Sequence, residues 1–205
     1  MSAADLASDG AEAITLVVLL LGGLLIALYA VRTGVPPMPT SRGARAAMLR
    51  LLPDRLDGTL YDLGSGWGGL ALALARRHPG NPVVGIELSP LPWLFSRIML
   101  AIRPCPNLQF RRADMLAATL TDAGAVTCYL IPSAMRRLAP KLAAELRSGV
   151  PVVSYGFAID DWVPDAAEMA ADAGPYPLYR YIAGVEDIAP APVNSVPGAS
   201  SPAGT

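Results

Sequence analysis

Residues 61–69 read YDLGSGWGG and stand where one short apolar stretch ends and an Ala/Leu-rich stretch begins. Residues 59–63 have the length and apolar character of a buried strand, and residues 70–77 fit a helix. Glycines at such a strand-to-helix turn let the backbone turn tightly and approach a ligand closely. The start of the following helix offers unpaired N–H groups and positive potential. The stretch therefore predicts an α/β fold with a ligand site at this turn.

The same alternation continues beyond this turn. Further strands are predicted at residues 82–86, 108–111, 125–131, 150–157 and 178–183, and further helices at residues 91–103 and 140–147. The second of these helices has Pro140 in its first turn. Residues 160–177 are acidic and proline-containing and have room for an edge strand. Strands separated by helices predict a mainly parallel, Rossmann-like sheet with helices on both faces.

The glycine stretch fits two ligand patterns. Residues 64–69 satisfy G-x-G-x-x-G, which is the dinucleotide fingerprint. Residues 62–68 satisfy D-x-G-x-G-x-G, the methyl-donor pattern. A carboxylate at the end of the next strand, Glu87, can accept hydrogen bonds from ribose hydroxyls, but nicotinamide folds use the same device. The glycines and Glu87 alone leave both ligands open.

Two further acids favour the methyl donor. Asp114 follows the third strand, where the methyl-donor folds that this pattern resembles place an acid near the adenine amino group, and Asp62 ends the first strand. The negative charge of Asp62 repels a pyrophosphate and attracts a sulfonium or an ammonium group. Three acids after three successive strands therefore favour a cationic donor over a dinucleotide.

Residues 60–157 resemble a class I S-adenosylmethionine-dependent methyltransferase. The resemblance implies that S-adenosylmethionine is the cofactor, bound by Asp62, Gly64, Ser65, Gly66, Gly68, Glu87 and Asp114. A narrower resemblance lies in the order of short motifs: PTS at 39–41, YLIPSAM at 129–135, GF at 156–157, WVP at 162–164 and LYRY at 178–181. This order is similar to the membrane-anchored protein-lysine methyltransferases of the ATP synthase c-subunit and adenine nucleotide translocase type, and to their bacterial relatives. It implies that the acceptor is a lysine of a protein in or near a membrane.

The acceptor is expected at the end of the fourth strand, outside the carboxyl ends of the sheet. The candidates there are Ile131, Pro132 and Ser133, whose backbone carbonyls can orient an amine, although capping of the next turn also explains Ser133. No residue is identified as a general base.

Three ring-containing side chains near these motifs are predicted to have no catalytic role. Trp67, within the glycine stretch, is expected to pack on the helix that contains residues 48–52, with covering the donor as the alternative. Phe95 is expected in the core. His78, at a helix end, is expected in solvent.

The N-terminal region contains a predicted membrane anchor. Residues 13–31 carry no charge, and nineteen helical residues span about 28 Å, close to the hydrocarbon thickness of a bilayer. Arginines follow this segment and none precedes it, so the positive-inside rule places the rest of the chain on the cytoplasmic side. The predicted organisation is a short tail at 1–12, the transmembrane anchor at 13–31, a linker and N-terminal helix at 32–58, the methyltransferase domain at 59–184 and a disordered tail at 185–205.

Composition excludes several other classes of function. Sixteen basic and seventeen acidic residues in a chain of 205 argue against a broad basic face for nucleic acid. Two cysteines and one histidine argue against a disulfide framework, a metal site or a histidine-centred triad. The sequence thus predicts a membrane-anchored methyltransferase acting on a protein lysine. A quinone, lipid or other small amphiphile as acceptor, and a non-catalytic or NAD-binding Rossmann-like membrane module, remain as alternatives.

Overall fold

The computed structural model describes residues 12–17, 19–24, 27–28 and 40–185. The three N-terminal ranges are helical. In the described part of the chain, no helix has the length and hydropathy needed to cross a membrane. Parts of the predicted anchor at 13–31, and nearly all of the predicted tail at 185–205, lie outside the described residues. The anchor therefore stays a prediction.

A seven-stranded sheet forms the centre of the chain, with the order β3-β2-β1-β4-β5-β7-β6. The strands are β1 (Thr59–Leu63), β2 (Val83–Glu87), β3 (Leu108–Arg112), β4 (Ala123–Cys128), β5 (Pro151–Tyr155), β6 (Ala166–Glu168) and β7 (Leu178–Ile182). The first five pair in parallel, and β7 pairs antiparallel with β5 and β6. The predicted mainly parallel sheet is confirmed, and the edge strand suggested within residues 160–177 is β6.

Helices cover both faces of this sheet. They are α1 (Arg42–Arg50), α2 (Gly69–Arg77), α3 (Pro90–Ile102) and α4 (Pro132–Glu145). The side chains of α1 and α2 are buried in one core cluster, and those of α4 are buried in the cluster on the other face. Ser41 caps α1, because its hydroxyl accepts a hydrogen bond from the amide of Ala44 at 3.0 Å.

The start of the fourth helix corrects two predictions. It begins at Pro132, where a proline lacks only an N–H group that would be unpaired in any case. Pro140 therefore lies inside the helix and not in its first turn. The N-cap is Ile131, without a side-chain cap, so Ser133 lies in the first helical turn and does not cap it.

His78 is buried, with 3% of its surface exposed, so its expected place in solvent is wrong. The loop before β3 folds back over the end of α2, where the side-chain amide of Asn107 donates to the carbonyls of His78 and Ala75. Burial lowers the pKa of His78, helped by the neighbouring Arg77, so the ring is neutral at pH 7.

Candidate functional site

The site is defined by the order of the strands. Strand order reverses between β1 and β4, which lie side by side although two strands separate them in sequence. In open parallel sheets a ligand binds outside the carboxyl ends of the strands at this reversal. The glycine stretch follows β1 at this place. An open cleft of about 760 Å³, lined among others by Pro82, Asn107 and Asp122, lies instead toward the amino ends of the strands.

Three glycines of the stretch adopt left-handed conformations: φ is 71° at Gly64, 52° at Gly66 and 80° at Gly68. Only glycine adopts such angles without strain. The amides of Gly64 and Ser65 both donate to the carbonyl of Ile86, which ties the turn to β2. An added Cβ at Gly64 or Gly68 would collide with Leu130 or Phe110. At Gly66 the nearest such atom is 4.0 Å away, so this glycine faces open space.

Glu87 fixes the glycine turn from the neighbouring strand. Its Oε2 accepts a hydrogen bond from the amide of Gly66 at 2.8 Å, and its Oε1 accepts one from the amide of Ser89 at 2.7 Å. The side chain is buried. A carboxylate has about four acceptor positions, so both oxygens keep capacity for a ligand hydroxyl. Glu87 can therefore shape the turn and bind a ribose at once.

Asp62 is a buried carboxylate whose hydrogen bonding is incomplete. Its Oδ1 accepts a hydrogen bond from the Thr127 hydroxyl at 3.2 Å, whereas Oδ2 has no partner among the described residues. Burial raises the pKa of Asp62 to about 7; the Thr127 hydroxyl and the Ala71 amide oppose the shift, and the charge of Glu87 adds to it. A buried hydrogen-bond acceptor without a partner destabilises the folded protein unless a ligand supplies the missing donor.

Ser65 and Asp114 complete the predicted donor set. The Oγ of Ser65 is buried and also has no partner within the described ranges. Asp114 follows β3 in an exposed position, and its Oδ1 accepts a hydrogen bond from the amide of Leu116 at 2.9 Å. The unsatisfied oxygens of Asp62 and Ser65 and the open space at Gly66 fit a bound S-adenosylmethionine, whose ammonium and hydroxyl groups would supply the missing donors.

An aromatic cluster at the ends of β4 and β5 was not predicted. The ring of Tyr129 lies 4.7 Å from that of Tyr155 and 6.5 Å from that of Tyr176, measured between centroids. The rings of Tyr155 and Tyr176 meet edge to face at 5.9 Å. The Tyr155 hydroxyl donates to the Ala173 carbonyl at 2.6 Å, and Tyr176 is the exposed member. Burial raises the pKa values of Tyr129 and Tyr155, so both stay phenols at neutral pH.

The tyrosine cluster adjoins the glycine turn. Tyr129 follows Cys128, which is paired with Leu63 at the end of β1, and Leu130 is the side chain that an added Cβ at Gly64 would meet. The predicted acceptor residues come next: Ile131 precedes α4, and Pro132 and Ser133 lie exposed in its first turn. The carbonyl of Ile131 already accepts the amides of Ala134 and Met135. The acceptor role of these three residues stays a prediction.

Phe95 differs from its expected place, whereas the packing of Trp67 on the helix before β1 stays a prediction. The rings of Trp67 and Phe95 contact each other edge to face, with centroids 5.2 Å apart. Phe95 is exposed and outside the core. The buried Cys128 is paired with the end of the first strand, and burial raises the pKa of its thiol to about 12. Among the described residues, no group of three or more His, Cys, Asp and Glu side chains is placed to hold a metal ion.

Comparisons with known proteins agree with this geometry. The lysine N-methyltransferase of the ATP synthase c-subunit from Mus musculus is 30% identical over 155 residues, covering 70% of this chain and 62% of that protein. The adenine nucleotide translocase lysine N-methyltransferase of the same species is 36% identical, covering 66% and 58%. The match therefore spans less than two thirds of these relatives.

A solved structure shares the fold along almost its whole length. The RNA methyltransferase of Salinibacter ruber in complex with S-adenosyl-L-homocysteine is 33% identical, with a TM-score of 0.64, and the match covers 74% of this chain and 97% of that one. Residues 62–166 match the ANTKMT methyltransferase domain family. The family match favours the methyl-donor pattern of the glycine turn over the dinucleotide fingerprint, and the binding role of the individual residues stays a prediction. The chain belongs to the ANTKMT methyltransferase domain family, and it is a class I S-adenosylmethionine-dependent methyltransferase.

Proposed function

We propose that this protein methylates a lysine side chain of a protein in or near a membrane. The observation that carries the proposal is the tyrosine cluster of Tyr129, Tyr155 and Tyr176 beside the glycine turn. Aromatic faces attract ammonium and methylated ammonium groups. The match to relatives named for lysine methylation supports the same acceptor.

Different residues of the chain would bind the methyl donor and the lysine acceptor. When bound, S-adenosylmethionine supplies a methyl group on a sulfonium, which an amine takes up by direct displacement. Asp62 would hold the cationic part of the donor, and Glu87, which holds the glycine turn, would bind the ribose. The lysine amine must present a free lone pair in line with the methyl group, so alignment is the main contribution of the protein. Tyr129 and Tyr155 keep their protons at pH 7, so neither acts as a base; the rings of Tyr129 and the exposed Tyr176 would position the neutral amine. After the transfer, S-adenosylhomocysteine would leave and the methylated ammonium would lose its proton to water.

A membrane anchor belongs to the same proposal. The helical residues near the N-terminus expose large apolar side chains, among them Ile14, Leu19 and Leu24. The arginines that follow residue 31 favour a cytoplasmic domain by the positive-inside rule. An anchor raises the effective concentration of the enzyme toward acceptors in the same membrane.

RNA is the second candidate acceptor, because a solved structure that matches this chain is named an RNA methyltransferase. The net charge of −1 argues against it, since RNA binding normally uses a basic surface.

A labelling experiment separates these acceptors. The full chain in lipid nanodiscs is incubated with tritiated S-adenosylmethionine and, in parallel, with purified ATP synthase c-subunit, purified adenine nucleotide translocase, a lipid and quinone extract, or total RNA. We expect label in a membrane protein, recovered as methyl-lysine after acid hydrolysis. Glu87→Ala should lose the label, whereas Glu168→Ala, an exposed acid on β6, should keep it. Label confined to RNA or to the lipid extract would contradict the proposal.

A further inference from the structure

Helix α3 has two apolar faces, and only one of them is covered by the chain. Pro92 and Ser96 are buried, and Trp93 packs against the core. On the opposite side of the helix, Leu94, Phe95, Ile98 and Ile102 are between 44% and 66% exposed. These four side chains form one stripe at helical spacing, called here the α3 stripe. A helix that is apolar all round needs a second apolar environment, and a large exposed patch marks an interaction site.

Two arginines border the stripe on its own helix. Arg97 flanks the stripe within the helix, with its guanidinium carbon 5.9 Å from the centre of the Trp93 ring, and Arg103 caps the end of the helix. An apolar stripe bordered by arginines is complementary to a surface that combines acyl chains with anionic head groups.

The stripe is continuous with the donor site. Phe95 contacts Trp67 of the glycine turn, and Leu88, directly after Glu87, is also exposed. The start of α1 lies at the same edge, because the guanidinium of Arg45 lies against Gly69, the first residue of α2. About ten residues join the predicted anchor to α1, and they reach at most about 35 Å. A bilayer that holds the anchor is therefore within reach of the stripe.

We propose that the α3 stripe and Trp67 rest on the surface of an anionic lipid bilayer and hold the donor site at the membrane interface. Arg97 and Arg103 lie at head-group level, and the four apolar side chains enter the acyl boundary. This contact would keep the acceptor site at the membrane interface, where a lysine side chain of a membrane protein is accessible. It depends on the proposed function only for the nearness of the membrane, because the contact itself does not require methyl transfer.

A fluorescent label tests the contact in the full chain. Ile98→Cys is labelled in a Cys105→Ser background, and Cys128 stays unreactive because it is buried. The labelled chain is placed in nanodiscs of equal parts phosphatidylcholine and phosphatidylglycerol, with or without bromine on the acyl chains. We expect the brominated lipid to quench the label at position 98. A label at Ala143→Cys, exposed on α4 across the sheet, should not be quenched.

Substitutions on the stripe separate lipid contact from folding. Leu94→Glu with Ile102→Glu should abolish quenching at position 98, while thermal stabilisation by S-adenosylhomocysteine stays intact. Ala143→Glu with Ala144→Glu, the matched control, should preserve quenching. Replacing phosphatidylglycerol with phosphatidylcholine should weaken the quenching of the label at position 98. Because stabilisation by the product reports the donor site alone, a failure of the lipid contact is distinguishable from a failure of the proposed function.

Two results would overturn the lipid assignment. One is a label at position 98 that an aqueous quencher reaches and brominated lipid does not quench. The other is a label that is protected from an aqueous quencher but is not quenched by brominated lipid. This result would assign the stripe to contact with the N-terminal segment or with a second copy of the chain. If the protection arises only when transfer RNA is added, it would assign the stripe to nucleic acid.

Discussion

The proposed donor half and the proposed acceptor half of the site are built in different ways. The donor half comes from consecutive strand–helix units: Asp62 lies near the end of β1 and the glycines follow it, Glu87 ends β2 and Asp114 follows β3. The acceptor half comes from three separate places, with Tyr129 after β4, Tyr155 at the end of β5 and Tyr176 in the loop before β7. The donor half is held by backbone hydrogen bonds, and the acceptor half by ring contacts. Substitutions in the first should therefore affect donor binding strongly, and substitutions in the second should tune the choice of acceptor.

The largest effect is expected at Gly66. Its φ of 52° strains any β-branched residue, and a valine side chain would extend into the space left for the donor. Gly66→Val should weaken S-adenosylhomocysteine binding by at least about 100-fold, or roughly 2.7 kcal/mol. The strain should cost about 1–3 kcal/mol of stability and leave the chain folded. Calorimetry measures the affinity.

Gly80→Val is the control for this substitution, because an added Cβ at Gly80 meets nothing within 4 Å and φ is not left-handed. It should bind S-adenosylhomocysteine as the parent chain does. Unchanged affinity in Gly66→Val would show that the donor does not bind against this turn.

A smaller effect, dependent on pH, is expected from Asp62. The pKa of the folded state, about 7, lies above the ordinary value of 3.8, so the unfolded chain releases this proton first. The contribution of Asp62 to the free energy of unfolding therefore falls as pH rises from about 4 to about 7. Binding of an ammonium group favours the carboxylate, so affinity for S-adenosylhomocysteine should rise up to tenfold per pH unit below about 7 and then level off.

Calorimetry across this pH range tests the assignment. Asp62→Asn should bind more weakly and without the slope. Asp172→Asn, at an exposed carboxylate paired with Arg50, should keep the slope. A slope that survives in Asp62→Asn would assign the titration to another group.

Sequence signals account well for the donor half. Left-handed glycines and acids at strand ends are local features, and the structure confirms the turn and the mainly parallel sheet. The tyrosine cluster was missed because a tyrosine in or after an apolar strand looks like any core residue. Only the placement of Tyr176 beside β4 and β5 gives these rings a common surface, and that placement depends on the antiparallel β7.

Long-range packing also explains the wrong assignments. His78 has the sequence position of a solvated helix end, but its side chain is buried, and a loop about thirty residues further along the chain bonds to its carbonyl. Phe95 has the spacing of a core residue on an apolar helix, and spacing alone does not say which apolar face meets the sheet. Pro140 favours a helix start by itself, yet the earlier proline at position 132 begins the helix.

The smallest effect is expected at Tyr176, which tests the acceptor half alone. Tyr176→Leu removes the exposed ring of the cluster but leaves Tyr129 and Tyr155 in contact. A cation–π contact at an exposed position is worth about 0.5–1 kcal/mol, so KM for the labelled membrane protein should rise about two- to fivefold. Affinity for S-adenosylhomocysteine should not change, and Tyr176→Phe should restore KM because it restores the ring. Tyr179→Leu, on the other face of the sheet, should leave KM unchanged. Equal effects of Tyr176→Leu and Tyr179→Leu would mean that the cluster only stabilises the fold, and the acceptor would then have to be sought at Ile131, Pro132 and Ser133.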